Sequence, residues 1–434
     1  MSQIILLQFT FLFLFSACSN RADFYNSYKA TPFPDRINLT ITDDPATSIT
    51  ITWRTDTATE KSLAKIAIAT PHPDFVNDAD SLISESVLHE SKNGFAYYHT
   101  VTFKNLDPET QYAYKVGGEN YWSEWNHFTT ASAKNEPFSF IYFGDAQNDI
   151  KSLWSRAIRT AYTTMPNARF MLHAGDLVDQ RGKYGKSYDD EWGEWFEAGG
   201  WIHSVLPSIP TPGNHEYIKD ENDEYIGLGS HWKAVFNLPV NGPGEMDELT
   251  ETVYYIDYQG VRFISLNTQS MNLSEKSAQI QAEWLINVLE TNPHKWTIVT
   301  HHHPVIAAGK DREHHKMLNK YIRPIYEKYN VDLVLQGHDH TYARGRNLPS
   351  GLQHFDRENG TMYVVSVSGP KMYSLTENWM DKSAENTQLF QIISIENDTL
   401  SFEAYTVTGE LFDSFTITKN PAGINDISDI SLAP

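Results

Sequence analysis

Apolar runs that end in the same chemistry limit what this chain can fold into more than any other feature. FSFIYF at 138–143 runs into Gly144-Asp145-Ala146-Gln147, and RFMLHA at 169–174 runs into Gly175-Asp176. The loop after Ile209 holds Gly213-Asn214-His215-Glu216. WTIVT at 296–300 leads to His301-His302-His303-Pro304, and VDLVLQ at 331–336 leads to Gly337-His338-Asp339-His340. Another run, VRFISL at 261–266, has no such ending. Helical patterns lie near 150–165, 188–201, 277–291 and 315–329. Strands alternating with helices predict an α/β layered domain. In such sheets ligands bind beyond the carboxyl ends of the strands, so the loops are expected to converge on one edge. A glycine before each Asp, Asn or His frees the backbone for a sharp turn straight after the strand. The strands after 361, with turns at Glu396-Asn397-Asp398 and Thr408-Gly409, read as antiparallel.

The residue types agree with one another. Carboxylates, an amide oxygen and imidazoles together suit borderline divalent metals. Two aspartates, an asparagine and three histidines are too many for one tetrahedral ion and about right for two. A single Asp or His at a strand end is usually a cap or a satisfied polar group. Repetition at every one of these strand ends points to a metal centre. The chain has 34 Lys and Arg against 55 Asp and Glu, a net charge of -21. That excludes binding of nucleic acid or an anionic membrane by bulk positive charge. An anionic substrate would need local positive charge, which bound metal ions supply.

The first third of the chain has a different texture. Ile49, Ile51 and Trp53 alternate with threonines, as do Val101 and Phe103, then Tyr112, Tyr114 and Val116. Short alternating runs between turn residues predict a β-sandwich over 34–131. Leu106-Asp107-Pro108 followed by Tyr112 has the look of a tyrosine corner. Residues 4–17, IILLQFTFLFLFSA, form an apolar stretch too short for a comfortable membrane span and fit a signal segment. Phe15-Ser16-Ala17-Cys18 resembles a bacterial lipobox, although no Lys or Arg precedes it. The expectation is a chain lipidated at Cys18, tethered by 19–33, and anchored in the bacterial cell envelope on the periplasmic or outer-membrane surface. Cys18 is the one cysteine, so no intramolecular disulfide forms.

Taken in order, GD, GD, GNHE, HHP and GHDHTYAR are similar to the motif set of the calcineurin-like metallophosphoesterases. With the β-sandwich in front, the chain resembles the purple acid phosphatase branch over about residues 34–418. The fold this implies is α/β, a four-layer metallophosphoesterase β-sandwich flanked by helices over 137–418. An all-β fibronectin-III-like sandwich precedes it, and 419–434 follows as a tail. The resemblance implies that Asp145 and His340 bind a first metal, that Asp176 bridges, and that Asn214, His302 and His338 bind a second. It makes His215 a proton donor and phosphate contact. Within the triple His301 and His303 are the alternatives to His302, with His303 counted among the catalytic residues and His301 expected to be a supporting or surface histidine; His314 and His315 lie where the branch carries a substrate-binding pair. Arg344 is offered to the phosphate, although an ion pair would explain it equally well.

Two departures from the branch matter. Purple acid phosphatases use a tyrosine three residues after the bridging aspartate to bind ferric iron, and here that position is Asp179. Gln147 stands where other metallophosphoesterases have a metal-binding histidine. The expected cofactors are two divalent ions (Fe, Zn or Mn), with Gln147 or Asp179 completing the first site. The implied activity is hydrolysis of a phosphorylated small molecule, chiefly a monoester, by a hydroxide generated at the metals. A phosphodiesterase on the same fold, and a non-catalytic metal- or carbohydrate-binding surface lipoprotein, are the competing readings. Tyr184, Tyr217, Tyr225 and Trp232 are candidates for a substrate pocket, whereas Trp195 and Trp201 are expected to pack between helices. The metal-loaded protein is expected to be colourless. A strong tyrosinate-to-iron band in its visible spectrum would overturn the assignment at Asp179.

Overall fold

The computed structural model describes residues 28–118, 120–179, 187–346, 360–376, 379–420, 423 and 425–430. The signal segment with Cys18, most of the expected tether and Tyr184 lie outside the described residues. Among the described residues no helix is long and apolar enough to cross a membrane.

The alternating runs of the first third form two facing sheets. One joins Asp35–Thr40, Ile49–Thr55, Gly94–Phe103 and Glu85–Ser91; the other joins Asp80–Ile83, Leu63–Ile68, Gln111–Gly118 and Tyr121–Trp122, with Asn126–Thr129 also on Gln111–Gly118. Leu39, Ile51, Trp53, Ala64, Ile66, Val101 and Tyr114 fill the space between them. The expected corner is present: the Asp107 N–H donates to the Tyr112 hydroxyl at 2.8 Å.

The second domain stacks two further sheets between helices, as expected. In the first, Phe138–Phe143 and Met171–His173 run parallel, with Leu389–Glu396 antiparallel on the outer side. In the second, Val261–Ser265, Trp296–His301, Leu333–Gln336 and Met362–Val365 run parallel. The parallel strands are buried at nearly every residue because both faces are covered. Phe263, Ile298 and Leu335 face the first sheet, where Phe140 and Phe170 stack at 5.0 Å. Their neighbours Ile264, Val299 and Val334 face the helices Glu275–Glu290 and Arg323–Tyr329. The helices Ser155–Thr164 and Tyr188–Gly199 cover the other outer side, the latter started by a capping box of Ser187 and Asp190.

Three features differ from the expectation. The metal-type loops come from both sheets, with Asp145, Asp176 and Asn214 beyond the first and His302 and His338 beyond the second. The segment expected as a tail carries the strand Asn425–Asp429, which pairs antiparallel with Leu411–Lys419 and extends the first sheet. The two domains also share a sheet, because Thr40 pairs in parallel with Ser208 and the strands run on as one eleven-stranded array.

A buried polar knot holds this junction. Arg36 Nη1 donates to Asp189 Oδ1 at 2.7 Å, His231 Nε2 lies 3.0 Å from the same oxygen, and Asn93 donates to Asp189 Oδ2 at 2.8 Å. Burial alone would raise the pKa of Asp189, but Arg36, His231 and Arg54 hold it well below the usual carboxylate range. Removing one member of a buried pair strands the others. Asp189→Ala is therefore expected to cost about 3–5 kcal/mol, read as a lower urea midpoint in equilibrium unfolding.

Candidate metal centre

The strand-end loops meet in a small buried volume. Asp145, Asp176, His302 and His340 are each no more than 1% exposed. His302 Nε2 lies 3.2 Å from Asp176 Oδ2, 3.2 Å from Asn214 Oδ1 and 3.1 Å from His338 Nδ1. His340 Nε2 lies 3.2 Å from Asp145 Oδ2, an oxygen that receives no hydrogen bond although it is buried. Two ligands at about 2.1 Å from a shared ion, at right to tetrahedral angles, stand about 3.0–3.4 Å apart. The observed separations match that spacing. Asp145, Asp176 and His302 form one group that could hold an ion, and His302, His303 and His338 form another.

The electrostatics also call for a cation. Burial raises the Asp145 pKa to about 7, with nearby Asp176 adding to the rise. Burial would lower His302, yet Asp176 and Asp145 raise it to about 9. His302 thus carries the positive charge that the buried carboxylates need, a charge that a divalent ion supplies more fully.

Local backbone makes the convergence possible. Asp176 and His338 themselves adopt left-handed φ values of 52° and 69°. At Asp176 the left-handed turn begins on Gly175, at 86°, as the glycine there was expected to allow, whereas at His338 it falls on the histidine and not on Gly337, a cost accepted at functional sites. Gly213 and Gly337 serve a different end. A Cβ on Gly213 would sit 2.2 Å from Asp176 Oδ1, and one on Gly337 would sit 2.3 Å from Asp145 Oδ1. Only glycine lets these loops approach so closely. Glu216 then ties two loops together, accepting N–H bonds from Asp176, Leu177 and Gly213 at 2.9, 2.9 and 2.6 Å. Its place in Gly213-Asn214-His215-Glu216 was visible in the sequence, but its bracing role was not.

Other expected site residues take various places. Gln147 donates to Asp176 Oδ2 at 2.7 Å, while its buried Oε1 receives no hydrogen bond. Asp179 lies beside Asn148 and 3.1 Å from His215 Nδ1, so its carboxylate is engaged with the imidazole expected to donate a proton. His215 also fixes the carboxylate of Asp176, the expected bridge, its backbone N–H donating to Oδ1 at 2.8 Å. The His303 ring centroid is 4.2 Å from that of His338, and its Nδ1 is 2.9 Å from Thr268 Oγ1. His301 is turned away, with Nδ1 2.8 Å from the carbonyl oxygen of His303. His314 and His315 line a cleft of about 440 Å³ that opens beside His338.

Arg344 requires a correction. It is buried and bidentate to Asp413, Nε to Oδ2 at 2.6 Å and Nη2 to Oδ1 at 2.9 Å, and it also pairs with Asp429 at 2.9 Å. It joins the two sheets and is not offered to a phosphate. The cleft is lined instead by Arg312, which no sequence signal marked, and by Lys316. Arg312 Nη2 lies 2.6 Å from His338 Nε2, and its Nε donates to Asp339 Oδ1 at 3.1 Å. Asp339 in turn accepts the N–H groups of Ala308 and Gly309, which shapes the cleft wall. Among the pocket candidates, Tyr217 and Trp232 are fully buried, bonded to Glu248 and to the Glu251 carbonyl, and do not line an open pocket. Trp195 is buried as expected, whereas Trp201 is 56% exposed.

Comparison with known proteins agrees with this arrangement. Residues 34–130 match the family model described as purple acid phosphatase, N-terminal domain, and residues 138–342 match calcineurin-like phosphoesterase. The chain is 26% identical over 336 residues to mouse (Mus musculus) "Acid phosphatase type 7", covering 72% of this chain and 70% of that protein. It is 23% identical over 373 residues to the Arabidopsis thaliana "Probable inactive purple acid phosphatase 1", covering 75% of this chain. It spans 58% of the length of that Arabidopsis relative. Among solved structures, a purple acid phosphatase from yellow lupin (Lupinus luteus) seeds superposes with a TM-score of 0.72 at 18% identity, covering 90% of this chain and 75% of that one. PhoD gives 0.62 at 12% identity, covering 92% and 93%. At these identities the solved structures speak for the fold.

Glu216→Gln keeps the shape of the brace but removes its charge. Loss of a partner that orients metal ligands is expected to weaken metal binding by about 10–100-fold, read by titration calorimetry with Zn²⁺ or Mn²⁺.

Proposed function

We propose that this chain, which belongs to the calcineurin-like phosphoesterases and carries the N-terminal domain of the purple acid phosphatases, hydrolyses phosphate monoesters at a pair of divalent metal ions. The observation that carries the reading is the buried convergence of Asp145, Asp176, Asn214, His302, His338 and His340 at ligand spacing. Asp145 and His340 would hold one ion and Asn214, His302 and His338 the other, with Asp176 shared between them. Bound there, the ions supply Lewis acidity toward a phosphoryl oxygen and toward water.

The chain's own residues do the rest. Asp179 beside Nδ1 orients His215 so that Nε2 turns toward the centre, 3.9 Å from Asp176 Oδ2. From there a protonated Nε2 gives its proton to the departing alkoxide, a role worth typically 10²–10⁴-fold. Arg312 presents a guanidinium at the mouth of the cleft, where negative charge on the substrate gathers. His303 and His315 border the same space, with ring centroids 5.3 Å apart. The lipobox resemblance supports a location in the cell envelope.

One observation favours a second reading, that of a non-catalytic metal-binding protein. Where other members offer a metal an imidazole lone pair, Gln147 instead donates its amide N–H to Asp176. Metal analysis and turnover decide between the two. With Mn²⁺, Zn²⁺ or Fe²⁺, the enzyme is expected to bind two ions per chain and to hydrolyse p-nitrophenyl phosphate faster than its bis-ester. Asp176→Asn should abolish turnover, and His215→Ala should lower kcat by about 10²–10⁴-fold with little change in KM. Small, equal losses in both variants would overturn the mechanism, and faster bis-ester hydrolysis would make it a diesterase.

A further inference from the structure

The strand Met362–Val365 runs parallel to Leu333–Gln336, so its carboxyl end reaches the same edge as the loop of His338. The loop that follows, 366–374, carries no Asp, Asn or His, yet it is built into the centre. Val367 bridges in parallel to Asp145, and the Ser368 and Gly369 N–H groups donate to the Asp145 carbonyl oxygen at 3.1 and 2.6 Å. Further along, His340 Nδ1 donates to the Lys371 carbonyl oxygen at 3.0 Å, and the Tyr373 N–H donates to the His340 carbonyl oxygen at 2.9 Å. A carbonyl only accepts, so Nδ1 carries the imidazole hydrogen and the Nε2 lone pair is left facing Asp145. The backbone of Lys371 thus orients a candidate metal ligand.

Its side chain has a separate place. Lys371 Nζ lies 5.5 Å from the Tyr373 ring centroid, and the Arg312 guanidinium lies 5.2 Å from the same centroid. That ring is itself 4.7 Å from the ring of His340. One aromatic ring at the first site therefore draws two cations toward it. Arg312 is partly answered by Asp339 at 3.1 Å. The Lys371 ammonium is half-buried and makes no hydrogen bond or ion pair among the described residues. Burial is the main influence on Asp145 and on His340, and the Lys371 charge is among those that act on each. A cation that lies this close to the centre and is not consumed by the scaffold is free for an anion from outside.

We propose that Lys371 is a specificity-determining residue, whose ammonium binds the phosphoryl group beside Asp145 and His340 and favours the doubly charged phosphoryl of a monoester over the singly charged one of a diester. The inference deepens the hydrolase reading and rests on it. Above neutral pH a monoester or inorganic phosphate carries about two negative charges, whereas a diester carries one. Attraction to a fixed ammonium scales with the product of the charges, so the same lysine acts about twice as strongly on the dianion. Arg312 and Lys371 then meet the substrate from two sides, the first beside His338 and the second beside His340.

The test is titration calorimetry of the metal-loaded full chain with inorganic phosphate and with dimethyl phosphate. Lys371→Met keeps the backbone carbonyl that holds His340, so metal analysis is expected to find the same two ions per chain as in the wild type. The variant should bind phosphate about tenfold or more weakly and dimethyl phosphate no more than about threefold more weakly. Lys371→Arg should keep most of the phosphate affinity. Turnover should show the same split, with kcat/KM in Lys371→Met falling about tenfold or more for p-nitrophenyl phosphate and little for its bis-ester. Equal losses toward both anions, or a phosphate affinity that Lys371→Met leaves unmoved, would overturn the proposal. So would loss of an ion from Lys371→Met, because the side chain would then serve the metals rather than the substrate. Failure of the wild-type chain to hydrolyse either ester would count against the hydrolase reading, and the anion titration would still decide the role of Lys371 because it needs no turnover.

Discussion

Two carboxylates held out of water within reach of one imidazole set the terms for this molecule. Asp145 and Asp176 cannot both stay ionised in such surroundings without compensating positive charge, and His302 is the nearest side chain that offers it. Desolvating like charges is costly enough to disrupt an ordinary core. A fold that keeps such a cluster must be organised around whatever neutralises it. The close approach at Gly213 and Gly337, the left-handed turns at Asp176 and His338 and the three N–H bonds on Glu216 all serve that end. Each restricts a different loop, so the donors are preorganised before any ligand arrives.

The same arrangement separates two jobs that the residue types alone confuse. Acidic and basic side chains occur both at the centre and in the scaffold. Asp413 with Arg344, and Asp189 with Arg36, have their charges matched by partners within the fold. Asp145 has an oxygen left over, and the Arg312 guanidinium is partly open to the cleft. A charge matched inside the fold holds elements together. A charge left partly unmatched at an opening is available to a ligand.

Much of this was legible in the sequence. The candidate ligand residues stand next to strand ends, where local spacing shows them, and the sandwich declared itself through alternation and the corner at Tyr112. Long-range pairings were not legible. Arg344 finds Asp413 at a separation of 69 residues, and no local pattern says which of its neighbours it will choose. Asp179 had two plausible targets, a metal or an imidazole, and only the path of the loop turns it to His215. Trp201 fits a helical face by periodicity, yet it lies in a short 3₁₀ turn just past the helix, which rotates it outward. The strand Asn425–Asp429 is too polar to read as a strand, because an edge strand need not bury both faces.

The shared sheet has a consequence for how such proteins can be taken apart. Ser208–Pro210 is flanked by Met171–His173 on one side and by Thr40 of the sandwich on the other. This short strand leads directly into the loop that holds Asn214. Cutting the chain at the linker would turn it from an interior strand into a raw edge, with unpaired backbone groups a few residues from a candidate metal ligand. The amino-terminal sandwich is therefore no detachable accessory. It closes the sheet from which the site is built, and the second domain expressed alone would begin life with its frame open.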